Sequence, residues 1–364
     1  MIAAQLLLAV ASVVVHNDLP FARTTETVEI PSSQLTALGD LNAIHVFDGD
    51  RELVAQTLDV DGKRSLIFQT DVPANGQRTL TLKDGAPRKV RKEDFRVYGR
   101  FVRERFDDFA WENDRVAHRM YGAALETWQK EPLTSSAVDV WLKRTRRLVI
   151  NDWYMVDNYH SDMGEGVDDY SAGLTRGCGG TGIWANGQLF VPKNFVDSRV
   201  LANGPIRVLF ELVYEPFDVN GVQVSQVLRV SLDAGSQLNR FESFYRRENG
   251  GNEPFAVAIG LKKVKDEQME FRGERGWLAI WEPMEKNLGM QGLAIVLNPS
   301  AIDKLGEDKL NNLLLLKPTN DSPVSYWAGF AWDRAGLIST SQAWTKYVDD
   351  FAAARQSPIT VTVK

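Results

Sequence analysis

The chain reads as an all-β protein, with a small β-sandwich followed by one large β domain. Three observations predict this. Short runs rich in Val, Ile, Thr, Phe, Tyr and Trp recur along the sequence, separated by Gly, Pro, Asn or Asp. Helical periodicity is convincing at one place only, so the strands are not joined by helices as in a parallel α/β sheet and must pack sheet on sheet. The 364 residues correspond to about two to two and a half domains of roughly 150 residues each.

The first element is apolar from Ile2 to Val15 except at Gln5 and Ser12. It falls short of the roughly 20 residues of a membrane-spanning helix, so no membrane span is expected. It has the form of a secretory h-region, with Ala9-Val10-Ala11 as a small-residue cleavage site, although no Lys or Arg precedes it. Residues 1–15 are therefore read as a signal-peptide remnant and the protein as periplasmic or secreted. Val13-Val14-Val15 running into Asn17-Asp18-Leu19-Pro20 also reads as a first strand.

Thr24 to Ile30, Ser65 to Gln69 and Arg78 to Leu82 are strand-like and split by Pro31, Asp61-Gly62 and Ala74-Asn75-Gly76. They define a small sandwich over residues 16–92. Asp59-Val60-Asp61-Gly62 begins like a calcium loop, but Lys63-Arg64-Ser65 adds no carboxylate, and the segment reads as a turn. A polar connection follows at Lys83-Asp84-Gly85-Ala86-Pro87. The large domain, residues 93–364, has strands at Val208–Tyr214, Gln226–Leu232, Asn239–Tyr245, Phe255–Leu261, Trp277–Trp281, Leu293–Leu297 and Tyr326–Trp332. The one helix carries Trp344, Tyr347, Val348 and Phe351 at helical spacing, with Ser339, Thr340 or Ser341 as cap.

Composition removes several function classes. With 42 Lys+Arg against 48 Asp+Glu the net charge is −6, which speaks against nucleic acid or an anionic membrane as the main partner. A single cysteine excludes an internal disulfide, a cysteine-rich zinc site and an iron–sulfur cluster. Gly177-Cys178-Gly179-Gly180-Thr181-Gly182 lacks the Lys of a phosphate loop and runs into strand-like Ile183-Trp184. Ten Trp beside only four His suggest a wide aromatic surface, of the kind that binds sugars. Trp277, Trp281, Trp327 and Trp332 sit in plain strands and are expected in the core.

Chemistry-bearing residues crowd into 105–245. Read as a strand, Asn113, Arg115, Ala117, Arg119 and Tyr121 share one face, and Asp114, Val116, His118 and Met120 the other. Asn and Arg on a sheet face can clamp a carboxylate, or can close an internal ion network. Trp153 to Tyr170 reads as a loop holding Tyr154, Tyr159, His160 and Glu165, where a histidine beside carboxylates can act as a base near neutral pH. Asp162, Glu165 and Asp169 could hold calcium, so a divalent cation stays open as a cofactor. Glu211 near Tyr214, and Arg240 with Glu242, can line a sugar cleft or pair with each other. Cys178 reads as inert packing.

Five segments carry a family resemblance: Phe109-Ala110-Trp111-Glu112-Asn113-Asp114-Arg115, Tyr159 to Gly166, Gly177 to Gly180, Leu201 to Arg207 and Ser231 to Glu242. In this order they resemble a bacterial domain family of formerly unknown function. That family is similar to the galactose-mutarotase-like β-supersandwich proteins and to the ulvan oligosaccharide dehydratase. The resemblance implies a β-supersandwich and removal of water across C4–C5 of a non-reducing-end uronate.

Such a reaction needs a neutraliser for the carboxylate, a base for the C5 proton and an acid for the leaving hydroxyl. Residue chemistry assigns Asn113 and Arg115 as neutralisers, His160 as base and Tyr154 or Tyr159 as acid, with His118 and Glu165 as further catalytic residues. Trp111 and Trp184 are the expected sugar platforms, and Arg119, Arg240, Glu242 and Glu211 the further substrate contacts. The substrate partner is then an acidic oligosaccharide. A polysaccharide lyase, a mutarotase or a non-catalytic sugar-binding protein are the competing readings.

Overall fold

A computed structural model describes residues 10–129, 132–156, 158–320 and 323–364. The expected fold class is what the structure has: strands dominate, every sheet is antiparallel, and the strands group into sandwiched sheets. The chain divides into two compact units.

The first unit holds the described residues up to Arg96 together with Leu201–Arg207 and Ala353–Lys364. Its five-stranded sheet runs Thr360–Val363, Val10–Asn17, Gly76–Asp84, Ile44–Asp48, Arg51–Leu53, and its three-stranded sheet runs Arg23–Pro31, Lys63–Val72, Ala55–Val60. Alternation decides which side chains close the core. Val13 and Val15, Val28 and Ile30, Leu66 and Phe68, Leu80 and Leu82 point inward two residues apart. Asp61 and Gly62 both have positive φ and join Val60 to Lys63 as a two-residue hairpin, so the turn reading of the calcium-like segment holds.

Residues 1–9 of the apolar N-terminal run lie outside the described residues. Val10–Asn17 is a strand between two neighbours, as the second reading of that run had it. The expected 93–364 domain is amended in three places. The boundary falls after Arg96, and both Leu201–Arg207 and the last twelve residues (Ala353–Lys364) return to the first unit. Thr360–Val363 covers the edge of the strand Val10–Asn17, whose N–H and C=O groups would otherwise be unpaired. Buried Arg23 fixes that return, donating to Asn17 Oδ1 at 2.9 Å and to the main-chain oxygens of Ala354 and Ser357.

The second unit, Val97–Val200 with Val208–Ala352, contains three sheets. Eight strands run in the order Asp197–Asn203, Arg207–Val219, Val222–Asp233, Leu238–Arg247, Val324–Trp332, Met290–Val296, Trp277–Pro283, Gln268–Arg272. A five-stranded sheet is built around Cys178–Ala185, Val257–Lys262 and Asn311–Leu316, and another around Asp108–Asn113, Ala117–Met120 and Asp139–Lys143. Their inner faces share one core, with Phe109, Trp111, Phe210, Phe241, Ile259, Ile280, Leu293 and Phe330 inside it.

The expected helix is Ser341–Gln356. Thr340 Oγ1 caps it by accepting from the Ala343 N–H at 3.1 Å. Trp344, Val348 and Ala352 pack on Trp277, Trp281, Ala294 and Ala331. Trp111, Trp141, Trp277, Trp281, Trp332 and Trp344 are all buried. The tryptophan surplus is therefore mainly core and not an exposed sugar-binding surface. No helix among the described residues is long and apolar enough to cross a membrane.

Candidate functional site

The sheet Asp108–Asn113, Ala117–Met120, Asp139–Lys143 has two unlike faces. Register sets Trp111 opposite His118 on one face, and Ala110 opposite Arg119 and Glu112 opposite Ala117 on the other. Asp114, Arg115 and Val116 form the hairpin turn between two strands and not part of one long strand. That turn resets the alternation, so Asn113 lies on the His118 face and does not accompany Arg119.

The first face is core, which corrects four expectations. Asn113 Oδ1 accepts from the N–H groups of Arg115 and Val116, and its amide donates to the carbonyls of Asp233 and Ser236. Asn113 thus holds the turn together, and Arg115 sits in that turn and not on a strand face. Trp111 is fully buried and donates to Asn239 Oδ1 at 2.8 Å, so it offers sugar no platform. His118 lies between the Asp139 carbonyl at Nδ1 and the Asn239 amide at Nε2. Burial drives its pKa down to about 3, which keeps it a neutral structural histidine.

The second face carries charge. Arg119 Nε bonds Asp139 Oδ2 at 2.8 Å, Nη2 lies 3.1 Å from Asp168 Oδ2, and Nη1 lies 3.8 Å from Asp108 Oδ2. Tyr121 donates to the same Asp139 oxygen at 2.9 Å. All of these side chains are buried. Three carboxyl groups around one buried guanidinium cannot all ionise cheaply. Burial accordingly raises Asp108 to about 7, and raises Asp168 as well, against the opposing pull of Arg119. Arg119 is the floor of this cluster and not a free substrate contact.

Over this face lie the helix Ile150–Val156 and the loop that follows it. The helix is absent from the sequence reading because what starts it is remote in sequence. Glu112 Oε1 accepts from the Val149 and Ile150 N–H groups at 2.7 and 2.8 Å. Tyr154 and Tyr159 pack on Trp141, with ring centroids 4.9 and 5.2 Å away. The loop is pinned from below: Arg144 holds Asp162, and Arg147 holds Glu165 and Asp152. Glu165 is therefore a loop anchor, its pKa lowered by the hydrogen bond from Arg147. Lys286 takes Asp169, so the calcium trio is divided among three cations. Among the described residues no three His, Cys, Asp or Glu side chains are grouped to hold a metal ion.

His160 sits at the rim with its side chain 57% exposed. Its Nδ1 is 2.9 Å from the Asp168 carbonyl oxygen, which can only accept, so Nδ1 carries a proton and Nε2 is the nitrogen without a partner among the described residues. The guanidinium of Arg105 lies over the ring of Trp128 at 5.0 Å, and its charge acts on Tyr159, opposing the rise that burial imposes on the phenol. Trp128 in turn stacks on Phe106 at 4.5 Å. Burial raises both tyrosine pKa values, Tyr154 the more strongly. The Tyr154 hydroxyl, Arg119 Nη1, Asp108 Oδ1 and Arg105 Nε are buried without a hydrogen-bond partner among the described residues.

The structure thus brings together His160, Tyr154, Tyr159 and Arg119 from the expected set. It adds Asp108, Asp139, Asp168, Arg105 and Trp128, which sequence reasoning missed. One signal was available: Phe106 and Asp107 are consecutive non-glycine residues of positive φ, a strain that collects at functional sites, though only the backbone reveals it.

The remaining expected contacts lie elsewhere. Arg240 and Glu242 pair with each other at 2.9 Å, and Glu211 is held between Arg199 and Arg229. These are strand-face ion pairs of the eight-stranded sheet. Trp184 packs on Ala258, Leu313 and Leu315 of its own five-stranded sheet. Cys178 is buried, and burial raises its thiol pKa far above the ordinary value, in line with inert packing.

These features define an all-β sandwich protein with one charged, partly exposed acid–base cluster. The chain belongs to the family described as Domain of unknown function (DUF4861), which matches residues 15–361. A protein of Formosa agariphila named uncharacterized protein P7 is 30% identical over 372 residues, covering 97% of this chain and 93% of that one. Among solved structures, a glycosyl hydrolase family 38 protein from Enterococcus faecalis is similar with a TM-score of 0.51 at 9% identity, over 98% of this chain and 47% of that one. An α-mannosidase from Enterococcus faecalis V583 gives 0.47 at 8% identity, over 98% and 46%. The chain spans about half the length of these solved structures, and the first likeness is one of fold.

Proposed function

We propose that this protein is a carbohydrate-active lyase that eliminates water across C4–C5 of a non-reducing-end uronic acid in acidic oligosaccharides such as those from ulvan. The observation that carries the reading is the setting of His160. Its inner nitrogen is engaged by a main-chain carbonyl, its outer nitrogen is bare, and the ring of Tyr159, under the influence of the Arg105 charge, lies 4.5 Å from its own. Arg105, stacked on Trp128, replaces Asn113 and Arg115 as the group that neutralises the uronate carboxylate.

His160 Nε2 takes the C5 proton, and the C–H electrons pass towards the carboxylate, whose developing charge Arg105 stabilises. They return to form the C4–C5 double bond as the C4–O bond breaks. The Tyr159 hydroxyl gives the leaving oxygen its proton, so one water departs and the tyrosinate is held by Arg105 until it regains a proton. Phe106 and Trp128 are the aromatic wall on which the ring rests. The periplasmic or secreted location expected from the sequence belongs to the same proposal.

The test is incubation with saturated, uronate-terminated oligosaccharides, read by ultraviolet absorbance and mass together. The expected product absorbs and is lighter by one water. A shortened, absorbing product makes the protein a polysaccharide lyase. Anomer exchange without absorbance makes it a mutarotase, and binding unaffected by His160→Ala makes it a sugar-binding protein.

A further inference from the structure

The aromatic platform that carries Arg105 is assembled from two segments. Arg105 and Phe106 lie in the hairpin loop 103–107, closed by the paired residues Val102 and Asp108. Trp128 ends the 3₁₀ turn Ala123–Thr127, its N–H donating to the Leu125 carbonyl at 3.2 Å. Gly122 starts that turn, its carbonyl accepting from the Leu125 N–H at 3.1 Å. Neither segment alone fixes where the guanidinium points.

The two segments meet backbone to backbone. A Cβ on Gly122 would lie 1.9 Å from the Asp107 carbonyl oxygen and 2.4 Å from its carbon, so only glycine lets the Asp107 main chain rest there. Gly122 has an ordinary φ of −83°, so what it supplies is space and not backbone freedom. On its other flank the Asn194 amide donates to the Gly122 carbonyl at 2.9 Å, and Gly122 forms a parallel bridge with Phe195. The Asp107 carbonyl reaches this seat because Phe106 and Asp107 both take the left-handed region, with φ of 52° and 64°. A bulky side chain such as Phe enters that region at a cost, and stays only where its surroundings over-determine it. The reversal stacks the Phe106 ring on Trp128 and leaves the Arg105 guanidinium over both rings, 5.6 Å from the first and 5.0 Å from the second.

We infer that Asp107 and Gly122 are positioning residues, whose main-chain contact locks the loop 103–107 to the turn that delivers Trp128 and so holds the Arg105 guanidinium over the aromatic wall before any substrate arrives. Arg105 held in advance spares a bound uronate the entropy of ordering a long side chain. What Arg105 does once held rests on the elimination proposed above; how it is held does not. The test is the order parameter of the Arg105 Nε–H bond, from ¹⁵N relaxation on the full chain, with its signal assigned by its loss in Arg105→Lys. Gly122→Ala pushes the Asp107 carbonyl off its seat, and Asp107→Val disfavours the left-handed backbone by branching at Cβ. Each is expected to lower the order parameter from a rigid value to below about 0.6. Where product forms, each is also expected to raise KM and lower kcat, with a loss of about tenfold or more in kcat/KM. Asp107→Gly keeps the carbonyl and accepts the left-handed backbone, so it is expected to retain the wild-type order parameter. Asp107→Val decides the matter should Gly122→Ala fail to fold. A mobile Arg105 in the wild type overturns the assignment, as does an Arg105 equally ordered in folded Asp107→Val, or one loosened as much by Asp107→Gly. Order lost in the two displacing variants, with no unsaturated product from the wild type, removes the elimination and leaves the positioning standing.

Discussion

Lys143 and Glu112 form a wholly buried ion pair, Nζ to Oε2 at 2.6 Å, and the other oxygen of Glu112 caps the helix that carries Tyr154. One carboxylate thus joins two strands and starts a helix. Lys143 also donates to the Asn113 carbonyl at 2.6 Å, so two of its three donors are used. Removing one partner strands the other charge. Lys143→Met is expected to destabilise the protein by about 3–5 kcal/mol, read as a lower denaturant midpoint with unchanged slope. Midpoints equal within error would refute the pairing.

Asp108 makes the site sensitive to pH through its proton. Its folded pKa, about 7, stands above its ordinary value of 3.8. Between those values the folded state keeps a proton that the unfolded state has released. Its contribution is complete below about pH 4 and is lost as pH rises through about 7, at up to ~1.4 kcal/mol per pH unit. Urea midpoints are expected to fall between about pH 5 and pH 8, with Asp168 acting in the same direction. Asp108→Asn flattens that fall; an unaltered profile would remove Asp108 as its source.

His118 and His160 are expected to separate stability from turnover. Replacing His118 removes the donor to the Asp139 carbonyl and one of the two partners of the Asn239 amide, which keeps the Ala328 carbonyl, and His118→Ala is expected to cost about 2–4 kcal/mol. The remaining folded protein keeps its turnover. His160→Ala leaves the melting curve near wild type, because its ring is largely exposed, but lowers turnover by about 10²–10⁴. The reverse pattern in either variant would exchange their roles.

Arg105 is expected to act on substrate binding and on the developing charge together. Arg105→Ala removes the guanidinium over Trp128 and the positive charge that acts on Tyr159, so both KM and kcat suffer. Arg105→Lys keeps the charge but not the planar fork and recovers only part of the loss. Full recovery by Lys would show that a point charge is enough.

How much of this was legible in the sequence depends on the distance over which each feature is decided. The turn at Asp61-Gly62 and the helix of Trp344, Tyr347, Val348 and Phe351 were readable because their causes lie within a few residues. The strands from Val208 to Trp332 were readable for the same reason. The face assignment around Asn113 failed because a three-residue turn shifts alternation by one, and a period of two carries no memory of its phase across a turn. The helix Ile150–Val156 was missed because its cap, Glu112, lies 37 residues before the first N–H it accepts.

The sequence by itself therefore determined the all-β class, the strands, the long helix and the presence of His160 with its neighbouring tyrosines. Local propensity and periodicity are enough for those. Only the tertiary structure decided which charges are used. It set Asp108, Asp139 and Asp168 around Arg119, placed Arg105 on Trp128, and buried Trp111 and His118 in the core. Those outcomes follow from desolvation and pairing between residues far apart in the chain, quantities that do not exist until the sheets have closed.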